Sequence, residues 1–244
     1  VVKGNGMNLK KMKKLEICSN RLKKETGCRF NIWDLKYIFK THTYLSCSDL
    51  KQIYVRTLEF GTGKFKEMIE AMIVYPDQNF RSLRYDQFKC KMWLIHCLSC
   101  FIEYHSEMII VGSWHGLLAL MLNYQGYQNV YCSDIDIEAN EVAQYLGVTK
   151  WSNENDMFKI DFDDYDIIIN TSCEHVAFEN WLELIPEGKT VALQSTNLPD
   201  GDHTNPVDSL EDFKKSCEHI VSVERAEERT TAEKYKRFTI IGTT

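Results

Sequence analysis

MIIVGSWHGLLALMLNYQGYQNVYCSDIDIEANEVA, residues 108–143, decides how the chain is to be read. It opens on four apolar residues, Met108–Val111, which suit a strand buried on both faces. Gly112-Ser113-Trp114-His115-Gly116 then makes a glycine turn, Leu117–Tyr124 reads as a helix, and Asn129–Ser133 as a second strand. Asp134 stands at the tip of that strand. A glycine turn between strand and helix lets the backbone approach a ligand at the helix N-terminus. A carboxylate about 20 residues on accepts both hydroxyls of a ribose. The ligand expected here is an adenosine-type cofactor.

Downstream the same alternation continues. Strands are expected at Tyr165–Asn170, Thr190–Gln194, His219–Glu224 and Arg237–Gly242, with helices near Ala139–Leu146, Val176–Ile185 and Leu210–Cys217. The last two strands are separated only by a polar loop, so an antiparallel hairpin closes one edge. The fold class is therefore α/β: a Rossmann-like, mostly parallel sheet with helices on both faces and a C-terminal antiparallel hairpin.

Upstream the period is helical. Leu9, Met12, Leu15, Cys18 and Leu22 recur at helix spacing with Lys10, Lys11, Lys13 and Lys14 between them, and amphipathic pieces follow at Ile32–Lys40 and Ser48–Glu59. Tyr75-Pro76-Asp77 interrupts, and one long helix is expected from Asn79 to Tyr104. The expected division is an N-terminal helical region, 1–78, serving as lid or substrate platform, and a Rossmann-like domain, 79–244.

Charge follows this division. Residues 1–105 carry 19 Lys and Arg against 10 Asp and Glu, whereas the remainder carries 10 against 25, within a net −6. A basic region on an acidic body offers a docking surface to a polyanion such as a nucleic acid, although a solvated helical face is the plainer account of the same lysines. Composition, 44% hydrophobic and 26% charged, is that of a globular chain, and no apolar run approaches the roughly 20 residues of a membrane helix. The basic start lacks an export signal, with Met7 a candidate natural start. Nine scattered cysteines favour reduced thiols and a cytoplasmic location. Cys97 and Cys100 are expected to be core packing rather than a metal or redox pair. Oligomeric state is not legible.

Over about residues 80–244 the sequence resembles the class I S-adenosylmethionine-dependent methyltransferases. Ser133-Asp134-Ile135-Asp136-Ile137-Glu138-Ala139 has the shape of their second motif, and Asn155-Asp156-Met157 sits where that family holds the adenine. Asn170-Thr171-Ser172-Cys173-Glu174-His175 falls at the family's catalytic loop. The resemblance implies S-adenosyl-L-methionine as cofactor, held by Gly112, Ser113, Trp114, Gly116, Asp134, Ile135, Asp156, Met157 and Asn170. It implies Asn170, Glu174 and His175 as catalytic candidates, with Glu174 the first choice of base. Two positions depart from the pattern. Trp114 replaces a central glycine, and Ile110 an acid.

The acceptor is not identified by the loop, which has neither the prolines nor the ring of base-directed amine methyltransferases. Cys173 as a covalent nucleophile lacks a partner acid. Gln194-Ser195-Thr196-Asn197 is a candidate substrate loop, and Arg81, Arg84, Gln87 and Lys91 are candidates to reach the cofactor carboxylate. Asp200-Gly201-Asp202-His203 reads as an exposed turn, so no metal is expected. The competing accounts are a non-catalytic, RNA-associated binder with a vestigial cofactor site, transfer of the aminocarboxypropyl arm, and a nicotinamide site. The last lacks the Gly-x-Gly-x-x-Gly spacing.

Overall fold

The computed structural model describes residues 9–28, 30–59, 64–199, 202–231 and 234–244. Met7, the side chains of Lys10 and Lys11, and Asp200 and Gly201 lie outside the described residues. Chain contacts define two compact units, Val1–Tyr85 and Asp86–Thr244.

The first unit is helical: α1 (Leu9–Thr26), α2 (Ile32–Thr41), α3 (Cys47–Glu59) and α4 (Phe65–Val74). Asn31 caps α2 by accepting the Trp33 N–H. Leu22, Leu35, Ile38, Leu50, Ile53, Met68 and Met72 are buried together with Phe80 and Leu83. His42, buried among them, places Nε2 2.9 Å from the Met72 carbonyl. Cys18 and Cys47 form a disulfide with Cα atoms 6.1 Å apart. This corrects the expectation of reduced thiols throughout: periodicity placed Cys18 on a helical stripe and gave Cys47 no partner, because their proximity is tertiary. The other seven cysteines are free, and Cys100, expected in the core, is exposed.

The long helix expected from Asn79 to Tyr104 is two pieces. A 3-10 turn, Phe80–Leu83, capped by Asn79, ends at Arg84, whose extended backbone (φ −72°, ψ 157°) cannot continue a helix, and α5 then runs Tyr85–Leu98.

The second unit holds a six-stranded sheet of order β2-β1-β3-β4-β6-β5. Its strands are β1 (Met108–Val111), β2 (Val130–Ser133), β3 (Ile167–Asn170), β4 (Thr190–Thr196), β5 (Ser222–Thr230) and β6 (Lys236–Thr243). The first four are parallel, and β6 runs antiparallel between β4 and β5. A single parallel rung, Cys132 to Trp151, extends the sheet beyond β2. Helices α6 (Leu117–Tyr124), α7 (Ile137–Tyr145), α8 (Phe178–Leu182) and α9 (Leu210–Lys215) lie between the strands in sequence. Ile109, Val111, Ile168, Val191, Leu193, Phe238 and Ile240 pack with Phe162, Phe178, Trp181 and Phe213 in one core.

Strand β5 begins later than His219 and runs further than the sequence pattern suggests. Glu224, Arg225, Glu227, Glu228 and Arg229 hide its period, and a register shift falls between Val223 and Arg225. Charges and a bulge on an outermost strand discourage pairing with another chain. Arg225 and Glu227 also tie α5 to the sheet: Trp93 Nε1 donates to Glu227 at 3.0 Å, and Arg225 donates to the Cys97 carbonyl at 3.1 Å.

Candidate functional site

Strands β2 and β3 flank β1 on opposite sides, so the sheet order reverses at β1, and Val111 pairs with Asn170 in the last register position there. Open α/β sheets bind ligands beyond the carboxyl ends of their strands at such a reversal. The two segments leaving this point are the Gly112–Gly116 turn and the Asn170–His175 loop.

In the turn, Gly112, Trp114 and Gly116 all have positive φ, at 58°, 50° and 66°. For Gly116 the reason is packing as well as backbone: an added Cβ would stand 2.6 Å from Val148 Cγ2. Gly116 thus lets the start of α6 pack against Val148 and Ala143. At Gly112 a Cβ would stand in ordinary contact with Ser172 Cβ and Oγ, each at 3.6 Å, and with Met157 Cε at 3.7 Å. That position is bounded by the two segments assigned from sequence to adenine and catalysis. The Ser113 N–H donates to the Ser133 carbonyl at 3.1 Å, joining the turn to the end of β2. His115 is buried, and burial pushes its imidazole down to about 4, against the opposing pull of Asp136.

Asp134 receives two backbone N–H groups, Trp114 on Oδ2 at 2.7 Å and Asp136 on Oδ1 at 3.0 Å. Burial raises its pKa against the pull of these two donors. Each oxygen retains a lone pair for a further donor. Asp136 caps α7, and Ile135 between them is 75% exposed. Asp156 accepts the Phe158 N–H at 3.0 Å and pairs with Lys159 at 3.2 Å, which together hold its carboxyl below the ordinary value.

Asn170 is fully buried. Its Oδ1 accepts the Ser172 N–H at 2.9 Å, while Nδ2 has no partner among the described residues. Cys173 is buried too, and burial followed by the neighbouring Glu174 charge pushes its thiol well up, so it is a poor thiolate.

Glu174 is not the free base expected from sequence. Its Oε1 accepts from Arg237 Nη1 at 2.6 Å, both side chains being buried, so this oxygen is committed to an ion pair. His175 is exposed, with Nδ1 3.2 Å from the Asp202 carbonyl. Lys91, on α5, donates to Thr171 Oγ1 at 2.8 Å, and burial together with the Arg237 charge pulls its amine down to about 7. Gln194, Ser195 and Thr196 are strand residues of β4 rather than a loop, and all three are buried. Arg237 and Lys91 complete the cluster; sequence reasoning gave Arg237 no role, because its partner lies 63 residues away.

Chains of known structure superpose on this one. The N-methyltransferase NodS from Bradyrhizobium japonicum WM9, in complex with S-adenosyl-L-homocysteine, aligns at TM-score 0.51 and 11% identity, covering 66% of this chain and 88% of that one. A geranyl diphosphate methyltransferase in complex with S-adenosylmethionine aligns at 0.51 and 10%, covering 64% and 84%. A protein from Pyrococcus horikoshii OT3 aligns at 0.53 and 12%, covering 72% and 99%. This chain has the class I methyltransferase fold. No family model matches it, and no curated protein matches it in sequence.

In a methyltransferase fold the sheet edge described above is the place to test for an adenosine cofactor, and the residues there fit one. Asp134 has acceptor capacity to spare, and Gly112 packs beside Ser172 and Met157 with a backbone conformation that side chains rarely adopt. Among the described residues, no helix is long and apolar enough to cross a membrane.

Proposed function

We propose that this chain transfers a methyl group from S-adenosylmethionine to an acceptor held at the same sheet edge. The observation that carries this reading is the Asp134 carboxylate, fixed at the end of β2 by the Trp114 and Asp136 N–H groups with acceptor capacity left on both oxygens. A carboxylate held this way at the carboxyl end of a strand, after a glycine turn, suits the two hydroxyls of a ribose.

Bound there, the cofactor supplies an electrophilic methyl group. Asp134 takes the ribose hydroxyls, while the backbone of Gly112, Ser113 and Trp114 and the exposed Ile135 side chain border the adenosine. Met157 and Asp156 would take the adenine side, Asp156 toward the exocyclic amine. Transfer from a sulfonium is an in-line displacement, so the chain's task is to orient the acceptor and exclude water. Gln194 Oε1 and Ser195 Oγ are buried without partners among the described residues and offer acceptor-side hydrogen bonds.

Thermal unfolding with S-adenosylhomocysteine tests the reading. At a ligand concentration 100-fold above Kd the folded state gains about 2.7 kcal/mol, a rise in Tm of roughly 5–10 °C for a chain of this size. An unchanged Tm at millimolar ligand is the result expected of a vestigial site.

A further inference from the structure

We propose that Glu174, His175 and His203 form a binding site for a divalent first-row transition ion, with zinc the best fit. One ligand atom from each residue lies within 4.8 Å of the others. Tetrahedral zinc holds its ligands about 3.4 Å apart, so closure by at most about 1.4 Å suffices.

The chemistry of the three side chains is already arranged for an ion. His203 Nδ1 is 2.7 Å from the Leu198 carbonyl and His175 Nδ1 is 3.2 Å from the Asp202 carbonyl. A carbonyl only accepts, so each Nδ1 carries the proton and each Nε2 presents a lone pair. Metal-bound imidazoles are commonly oriented by such a bond from the other ring nitrogen. The two rings stand nearly perpendicular, 88°, with centroids 4.6 Å apart.

Glu174 supplies the independent observation. Its side chain is 3% exposed, Arg237 occupies Oε1, and Oε2 has no partner among the described residues. A buried carboxylate oxygen left bare needs a cation or donor, and the imidazoles beside it are the groups that share a cation with it. The backbone holds the parts together, because the Glu174 carbonyl accepts the N–H groups of Thr204 and Asn205, each at 2.9 Å. The His203 segment is thereby pinned to the loop that carries the other two ligands.

Two imidazoles and a carboxylate favour zinc or iron over magnesium or calcium, which prefer oxygen ligands. With His175 exposed, an ion here keeps an open position for water or an acceptor heteroatom. The ion site stands on its own geometry; only its use in transfer rests on the methyltransferase reading.

Chelator-treated full chain titrated with cobalt(II) and followed by visible absorption provides the test, with zinc chloride as competitor. The expected result is one equivalent bound at micromolar concentration, without a thiolate charge-transfer band, and displaced by zinc. His175→Ala and His203→Ala should each weaken binding at least about tenfold, the minimum known even for groups that merely orient a ligand. His105→Ala, at an exposed histidine, should change nothing. Both histidine variants keep the Glu174–Arg237 pair, so folding, checked by circular dichroism, should be retained. No binding by the folded chain, a thiolate spectrum, or affinity unchanged in the His175→Ala/His203→Ala double variant overturns the proposal. None of these readouts involves S-adenosylmethionine, so the cofactor reading is judged separately.

Discussion

The backbone N–H of Trp114 lies 2.7 Å from Oδ2 of Asp134, and Trp114 has a φ of 50°. A bulky residue in the left-handed region is an outlier, and a turn that forces it there stores strain at a site where the backbone must aim a donor. The Trp at the family's central glycine position is therefore compatible with the turn: the indole changes, and the N–H still meets the carboxylate.

Strain at Trp114 predicts an order of variants. Trp114→Gly should be more stable than Trp114→Ala by about 1 kcal/mol, because only the former lacks the Cβ that the left-handed region penalises. Denaturant unfolding of the two proteins measures this, and the reverse order would show that the turn relaxes.

Glu174 and Arg237 make a second, sharper case. Removing one partner of a buried pair leaves a bare charge, so Glu174→Gln should cost about 3–5 kcal/mol, whereas Glu174→Gln/Arg237→Met should recover much of it. A double variant as unstable as the single one would mean that the pair is not what holds the loop.

The turn and its carboxylate were legible because they are local. Strand, glycines, helix and Asp134 follow one another within residues 108–143, where period and turn chemistry speak directly, and α6 falls at Leu117–Tyr124 as read. The Glu174 ion pair was not legible, since nothing near residue 174 signals Arg237, which β6 delivers through antiparallel pairing with β4. The sequence pattern shows only a turn at His203 for the same reason: its neighbour His175 precedes it by one helix and one strand. Periodicity failed on β5 because the strand is mostly charged and part-exposed and carries a register shift between Val223 and Arg225, so it has no buried face to alternate with.

Acid should weaken the folded state through His115. Its imidazole titrates at about 4 when folded and at 6.5 ordinarily, so the unfolded chain binds more protons between these values. Stability then falls as pH drops from 6.5 toward 4, by up to about 3 kcal/mol for this group. Unfolding free energies of wild type and His115→Gln should diverge in slope over that window and run parallel above it. Equal slopes throughout would place the acid sensitivity elsewhere.

Along α1, Lys13, Lys14 and Lys23 are exposed, which gives the basic N-terminal region a solvent-facing row. We expect RNA or DNA to bind at low salt, with log K falling against log salt, and neutralisation of Lys10, Lys11, Lys13 and Lys14 together to flatten that slope. Absence of binding at low salt points to a small-molecule or protein acceptor instead.

The most direct measurement is calorimetric titration of S-adenosylhomocysteine and S-adenosylmethionine into wild type and Asp134→Ala. One ligand per chain should bind to wild type, and the variant, folded by circular dichroism, should lose about 1.5–3 kcal/mol, roughly ten- to a hundredfold in Kd, as expected for hydrogen bonds to a charged acceptor. Failure of the folded wild-type chain to bind either compound, or equal affinity in Asp134→Ala, would contradict a cofactor site at this sheet edge.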